Sequence, residues 1–100
     1  MLKVRKSPGA LLLEFLKEYK QNCNRLSKEI KCSQTALRLI SLDKSRITPS
    51  IAVRLAKFFN TKPELWLLAQ MDFDLEKAAS NKKLIKALKG ISIASKPAQN

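Results

Sequence analysis

The chain has 100 residues, 45% of them hydrophobic, and twenty Lys and Arg against eight Asp and Glu give a net charge of +12. That is one domain with enough apolar side chain to bury a core, so wholesale disorder is excluded. The charge selects partners, not fold: phosphate polyanions first, then anionic membrane surfaces and acidic proteins.

Residues 1–6 read as a basic N-terminal arm. No targeting segment is expected, because the apolar run after MLKVRKSPGA is short and interrupted by Glu14. No stretch reaches transmembrane length, so no membrane partner is expected. Ser7-Pro8 is a helix cap followed by proline at the first helical position, and Leu12, Phe15, Leu16 and Tyr19 recur at helical spacing. A polar break at Lys20-Gln21 ends that helix, and Asn22 caps a second, packed through Leu26 and Ile30. After a turn at Lys31-Cys32-Ser33, a third helix buries Leu37 and Ile40. Thr48-Pro49 opens a fourth, through Ile51, Ala52, Leu55, Ala56 and Phe59, and Asn60 suits the left-handed residue that closes it. Thr61 is expected to cap a fifth, with Pro63 and Glu64 in its first turn and Leu65, Trp66 and Leu68 inside. No segment shows sustained period-two alternation, so no sheet is expected.

The fold class is therefore all-α, with a five-helix domain over residues 7–71. Residues 72–100 form a helical extension and a basic, partly frayed tail, with Ser80 as a candidate cap for a second short helix. Arg54 lies among core positions and is expected to pair with a carboxylate, Glu14 being the candidate. Trp66 and Phe59 are expected in the core, with Leu55 and Leu26. Lys77, Lys82, Lys83, Lys86 and Lys89 make the extension basic.

Asn22 to Thr48 reads as a helix-turn-helix. In that motif the second helix enters the major groove of DNA with its N-terminal residues toward base edges. Ser33, Gln34, Thr35 and Arg38 occupy those positions here. Gln pairs with adenine, Arg with guanine, and Ser and Thr with either. The loop carrying Lys44, Ser45 and Arg46 falls where phosphates run, and Asn22 and Asn24 stand at a helix start that favours a phosphate. For each there is a plainer reading: a solvated helix face, an exposed basic loop, a cap.

These residues resemble the XRE-type helix-turn-helix family and, within it, the HigA-like antitoxins, also called the virulence-associated protein I group. The resemblance runs from Ser7 to Leu75 and is densest in Ala52, Arg54, Leu55, Ala56, Phe59, Asn60, Thr61, Pro63, Glu64, Leu65, Trp66, Leu67 and Gln70, with Pro8-Gly9 matching the family's start. The chain departs where the family has Gly after helix two (here Lys31) and Asn-Gly-Lys-Arg before Ile-Thr (here Leu42 to Arg46). It departs again where the family has Gln (Cys23) and Ala (Ser27). The resemblance implies a lambda-repressor-like fold, a homodimer on double-stranded DNA, repression of its own promoter, and neutralisation of a cognate ribonuclease toxin. The apolar residues Phe73, Leu75, Leu84, Ile85 and Leu88, with Met71, Ala78 and Ala79, are the candidate dimer or partner surface.

No enzymatic chemistry is expected: the chain has no His, no Gly-rich phosphate loop and no nucleophile elbow. No cofactor or metal is expected, since Cys23 and Cys32 cannot make a site alone. Unpaired cysteines suit a reducing compartment, and a cytoplasmic location is expected. A stand-alone or phage-type regulator without a toxin, a toxin-binding protein that has lost DNA binding, and a basic RNA-binding module stay open as alternatives.

Overall fold

The computed structural model describes residues 6–98, so all but Lys6 of the N-terminal arm lies outside the described residues. The described residues fold into six helices: α1 (Pro8–Glu18), α2 (Cys23–Glu29), α3 (Gln34–Ser41), α4 (Pro49–Phe59), α5 (Pro63–Ala79) and α6 (Lys82–Leu88). No strand occurs among the described residues.

Helix starts follow cap chemistry. Ser7, Asn22, Ser33 and Thr48 each accept a hydrogen bond from the backbone N–H three residues on, at 3.2, 2.8, 3.2 and 3.3 Å. The start of α5 differs from expectation. Lys62 holds the cap position with no side-chain bond, and the Thr61 hydroxyl instead accepts the Trp66 indole N–H at 3.0 Å. A buried indole needs an acceptor, and the Thr61 hydroxyl, one residue outside the cap position, provides it. At α6 the cap is Asn81, which accepts from Leu84 N–H at 3.0 Å; Ser80 closes α5 instead.

Helix ends share one device. Lys20, Lys31, Asp43 and Asn60 all adopt the left-handed conformation, with φ between 51 and 58°. The residue after each returns its N–H to a carbonyl five positions back: Gln21 to Leu16, Cys32 to Ser27, Lys44 to Leu39 and Thr61 to Ala56. This closure usually takes Gly. Among the described residues it occurs four times without Gly, at about 1–2 kcal/mol per left-handed residue, less for Asn and Asp. Compensation is visible at two ends. Asp43 Oδ1 accepts the Gly9 N–H at 2.7 Å. A Cβ at Gly9 would stand 2.6 Å from the Ile40 and Ser41 carbonyl oxygens, so only glycine fits there.

At α2 the compensation comes from Arg54. Its Nη1 donates to the carbonyls of Ile30 and Lys31 at 2.7 and 3.0 Å, and its Nε to Ser50 at 3.3 Å. The expected pairing with Glu14 does not form; Glu14 pairs with Lys6. Carbonyls at a helix end are orphaned acceptors at the negative end of the helix dipole, so a cation from α4 satisfies both needs. Arg54→Ala is expected to cost about 1–2 kcal/mol, near the lower end for charged hydrogen bonds because the residue is exposed. A urea unfolding midpoint unchanged from the parent protein would refute that role.

The core sits where α1, α3, α4 and α5 converge, closed by α2. Leu12, Leu26, Leu37, Ile40, Ile47, Leu55, Phe59 and Trp66 are buried. Phe15 joins Trp66 and Phe59 with ring centroids 4.9 and 5.1 Å apart, and Tyr19 meets Phe59 at 5.0 Å. Leu65 and Leu68, expected inside, are 39% and 37% exposed. The helix turns them away from the face that carries Trp66, Ala69 and Gln70.

α5 runs unbroken through Met71, so the junction expected there falls inside a helix. Its last turns leave the domain, and α6 packs chiefly against its end with no buried residue. The chain is accordingly long, 58 × 36 × 26 Å, with a radius of gyration of 17.8 Å, against about 13 Å for a compact chain of this length. Among the described residues no helix is long and apolar enough to cross a membrane.

Candidate nucleic-acid interface

The geometry of α3 follows from its two buried residues. Leu37 and Ile40 are fully covered and anchor the helix on the core. At about 100° per residue, Gln34, Thr35 and Arg38 then fall within one arc of the opposite face. All three are exposed. Ser33 precedes them as the cap, and its hydroxyl keeps an O–H to donate outward. Asn22 spends its side-chain oxygen on the α2 cap, which leaves its amide N–H groups for a phosphate. Asn24, two residues on in the first turn of α2, is exposed.

Cys23 lies behind this face. Burial pushes its thiol up, against a smaller opposing pull from the Arg38 charge. The side chain is partly buried and packs against the core.

The loop between α3 and α4 places Lys44, Ser45 and Arg46 in solvent beside α3. It is pinned at both ends. Asp43 holds the Gly9 N–H on one side. On the other, Gln70 is 4% exposed; its Oε1 accepts the Ile47 N–H at 2.8 Å and its Nε2 donates to Asp74 Oδ1 at 3.0 Å. Arg46 Nη1 donates to Asp74 Oδ2. Partial burial pushes the Asp74 carboxyl up. Hydrogen bonds from Gln70 and Arg46, with the charges of Arg46 and Lys77, outweigh that and hold it below its usual value. Neither Gln70 nor Asp74 is among the DNA-contact residues that the sequence suggests. Gln70 stood out only as part of the family resemblance, and a bond spanning 28 positions, as Arg46–Asp74 does, leaves no local signal.

The candidate partner surface divides. Phe73 is half-buried and lines a cleft with Asp43 to Arg46, with the Lys77 ammonium 5.4 Å above its ring. Leu75 lies further round α5 beside Pro49, Leu67 and Met71, and is 60% exposed. On α6, Leu84, Ile85 and Leu88 are exposed.

An uncharacterized HTH-type transcriptional regulator from Haemophilus influenzae is 34% identical over 89 residues, covering 88% of this chain and 83% of that protein. The solved structure of an addiction module antidote protein of a HigA family from Coxiella burnetii is 32% identical. It covers 92% of this chain and 100% of its own, with a TM-score of 0.75. The chain belongs to the HigA-like group of helix-turn-helix regulators. No family model matches it. A second HigA relative, the Pseudomonas aeruginosa antitoxin solved with the higBA promoter, is 29% identical, covers 84% of this chain and 94% of its own, and has a TM-score of 0.75. Residues that carry the resemblance to the HigA-like group take structural roles here: Gly9 lies under the α3–α4 loop, Arg54 holds the end of α2, and Thr61 accepts the Trp66 indole N–H.

Proposed function

We propose that this chain is a sequence-specific repressor that binds its own promoter as a homodimer in the cytoplasm, and that it is the antitoxin of a HigBA-type module whose toxin is a ribonuclease. The observation that carries the reading is the exposed Gln34, Thr35 and Arg38 arc beside the Lys44–Arg46 loop, in a chain similar to an antitoxin solved with its promoter. Lys and Arg neutralise phosphates and supply most of the affinity, and α3 supplies discrimination. Occupying the promoter is sufficient for repression.

Two-fold pairing would set two recognition helices about 34–36 Å apart, one DNA turn. Leu75 and the α6 residues Leu84, Ile85 and Leu88 are the exposed apolar side chains available for that pairing. A variant with Leu75→Glu, Ile85→Glu and Leu88→Glu is expected to sediment as a monomer and to footprint its promoter only weakly. A variant that stays dimeric would place the interface elsewhere, and a parent protein that leaves no footprint would refute repression itself.

For the toxin, the candidate contact is the acidic or apolar surface around Glu14, Glu18, Asp72, Asp74 and Glu76, and four of these five carboxylates are already engaged within the chain. Glu14 pairs with Lys6, Asp74 with Arg46, and Asp72 and Glu76 also have partners. A stand-alone regulator is therefore the second reading, favoured by the charge of +12, which repels a basic toxin. Co-purification with the product of an adjacent small reading frame separates the two.

A further inference from the structure

We propose that Asp74 positions Arg46 against a DNA phosphate, so that a carboxylate on α5 strengthens binding to a polyanion. This rests on the DNA-binding reading and adds to it a positioning residue outside the helix-turn-helix.

Three observations carry it. Arg46 stands on the loop beside α3 with its side chain 66% exposed, yet one end of its guanidinium is tied to Asp74. A guanidinium has five N–H donors in a planar fork, so the tie uses one edge and leaves the rest for a phosphate oxygen pair. Asp74 is itself braced, because the buried Gln70 amide holds Asp74 with its nitrogen and the Ile47 backbone with its oxygen. One amide therefore sets both the loop and the carboxylate that steers the loop's arginine.

Two effects oppose each other. A negative charge near DNA repels phosphate, and an unheld arginine must lose rotamer freedom on contact. Here the Asp74 charge is matched by the Arg46 guanidinium, with Lys77 adding a second positive charge nearby. The residual repulsion is small and screened at ordinary salt, and the ordering effect wins.

The test uses full-length protein and a mixed-sequence duplex of about 30 base pairs titrated across salt, because non-specific affinity reports phosphate contacts directly. Asp74→Asn keeps shape and removes the ion pair. It is expected to weaken binding about three- to tenfold and to flatten the salt slope by about one, as Arg46→Gln does. In an Arg46→Gln background, Asp74→Asn is expected to cause no further loss. A salt slope is insensitive to a purely stabilising role while the protein stays folded. Unchanged or tighter binding by Asp74→Asn, or an equal loss in the Arg46→Gln background, overturns the proposal. Failure of the unsubstituted protein to bind the duplex is a different result, and it overturns the DNA-binding reading together with this one.

Discussion

Trp66→Ala is expected to cost on the order of 3–5 kcal/mol, which consumes most of the stability of a domain held by about 5–15 kcal/mol. Trp66 is fully buried. Its ring meets Phe15 at 4.9 Å and Phe59 at 6.0 Å, so truncation removes contacts to α1 and α4 at once. It also strips the Thr61 hydroxyl of its indole donor. The measurement is cooperative unfolding in urea. Trp66→Phe should lose less than the alanine variant, because it keeps the aromatic packing and gives up only the indole bond and some volume. A folded Trp66→Ala protein, cooperative and impaired only in DNA binding, would make Trp66 a contact residue and refute its place in the core.

The second large effect is on affinity. Replacing Gln34, Thr35 and Arg38 together by alanine is expected to lower affinity for the protein's own promoter toward its affinity for mixed-sequence duplex. Good bidentate base contacts are worth about 1–3 kcal/mol each, and every 1.4 kcal/mol is roughly tenfold. All three side chains are exposed, so melting should stay within about 0.5 kcal/mol of the parent. Retained promoter affinity in the triple variant would remove α3 from base readout.

Much of the scaffold was legible in the chain because the signals were local. Caps three residues ahead of the N–H they accept, prolines at first helical positions and apolar residues at helical spacing announced α1 to α4. Asn60 closing α4 in the left-handed region is equally local. Thr61 misled because Pro63 opens the helix and puts the cap position at Lys62, which leaves the Thr61 hydroxyl to accept the buried indole N–H five residues on. The helical pattern continues past Met71 in the sequence, but where α5 leaves the core is not marked, because the apolar face there has no punctuation of its own.

By itself, then, the sequence determined an all-α chain, a helix-turn-helix with polar residues at the start of its second helix, and a charge suited to phosphate. Those properties depend on composition and on spacings of a few residues, where backbone geometry alone dictates the partner. Only the tertiary structure decided how non-glycine residues could close four helices, that Arg54 caps α2 instead of pairing with Glu14, and that Gln70 and Asp74 hold the α3–α4 loop. Only it separated Phe73, turned toward that loop, from Leu75, turned to solvent. Each of these joins residues far apart in the chain. The energy of such a contact depends on burial and on which competing donor or acceptor is nearer, and neither is defined until the helices have packed.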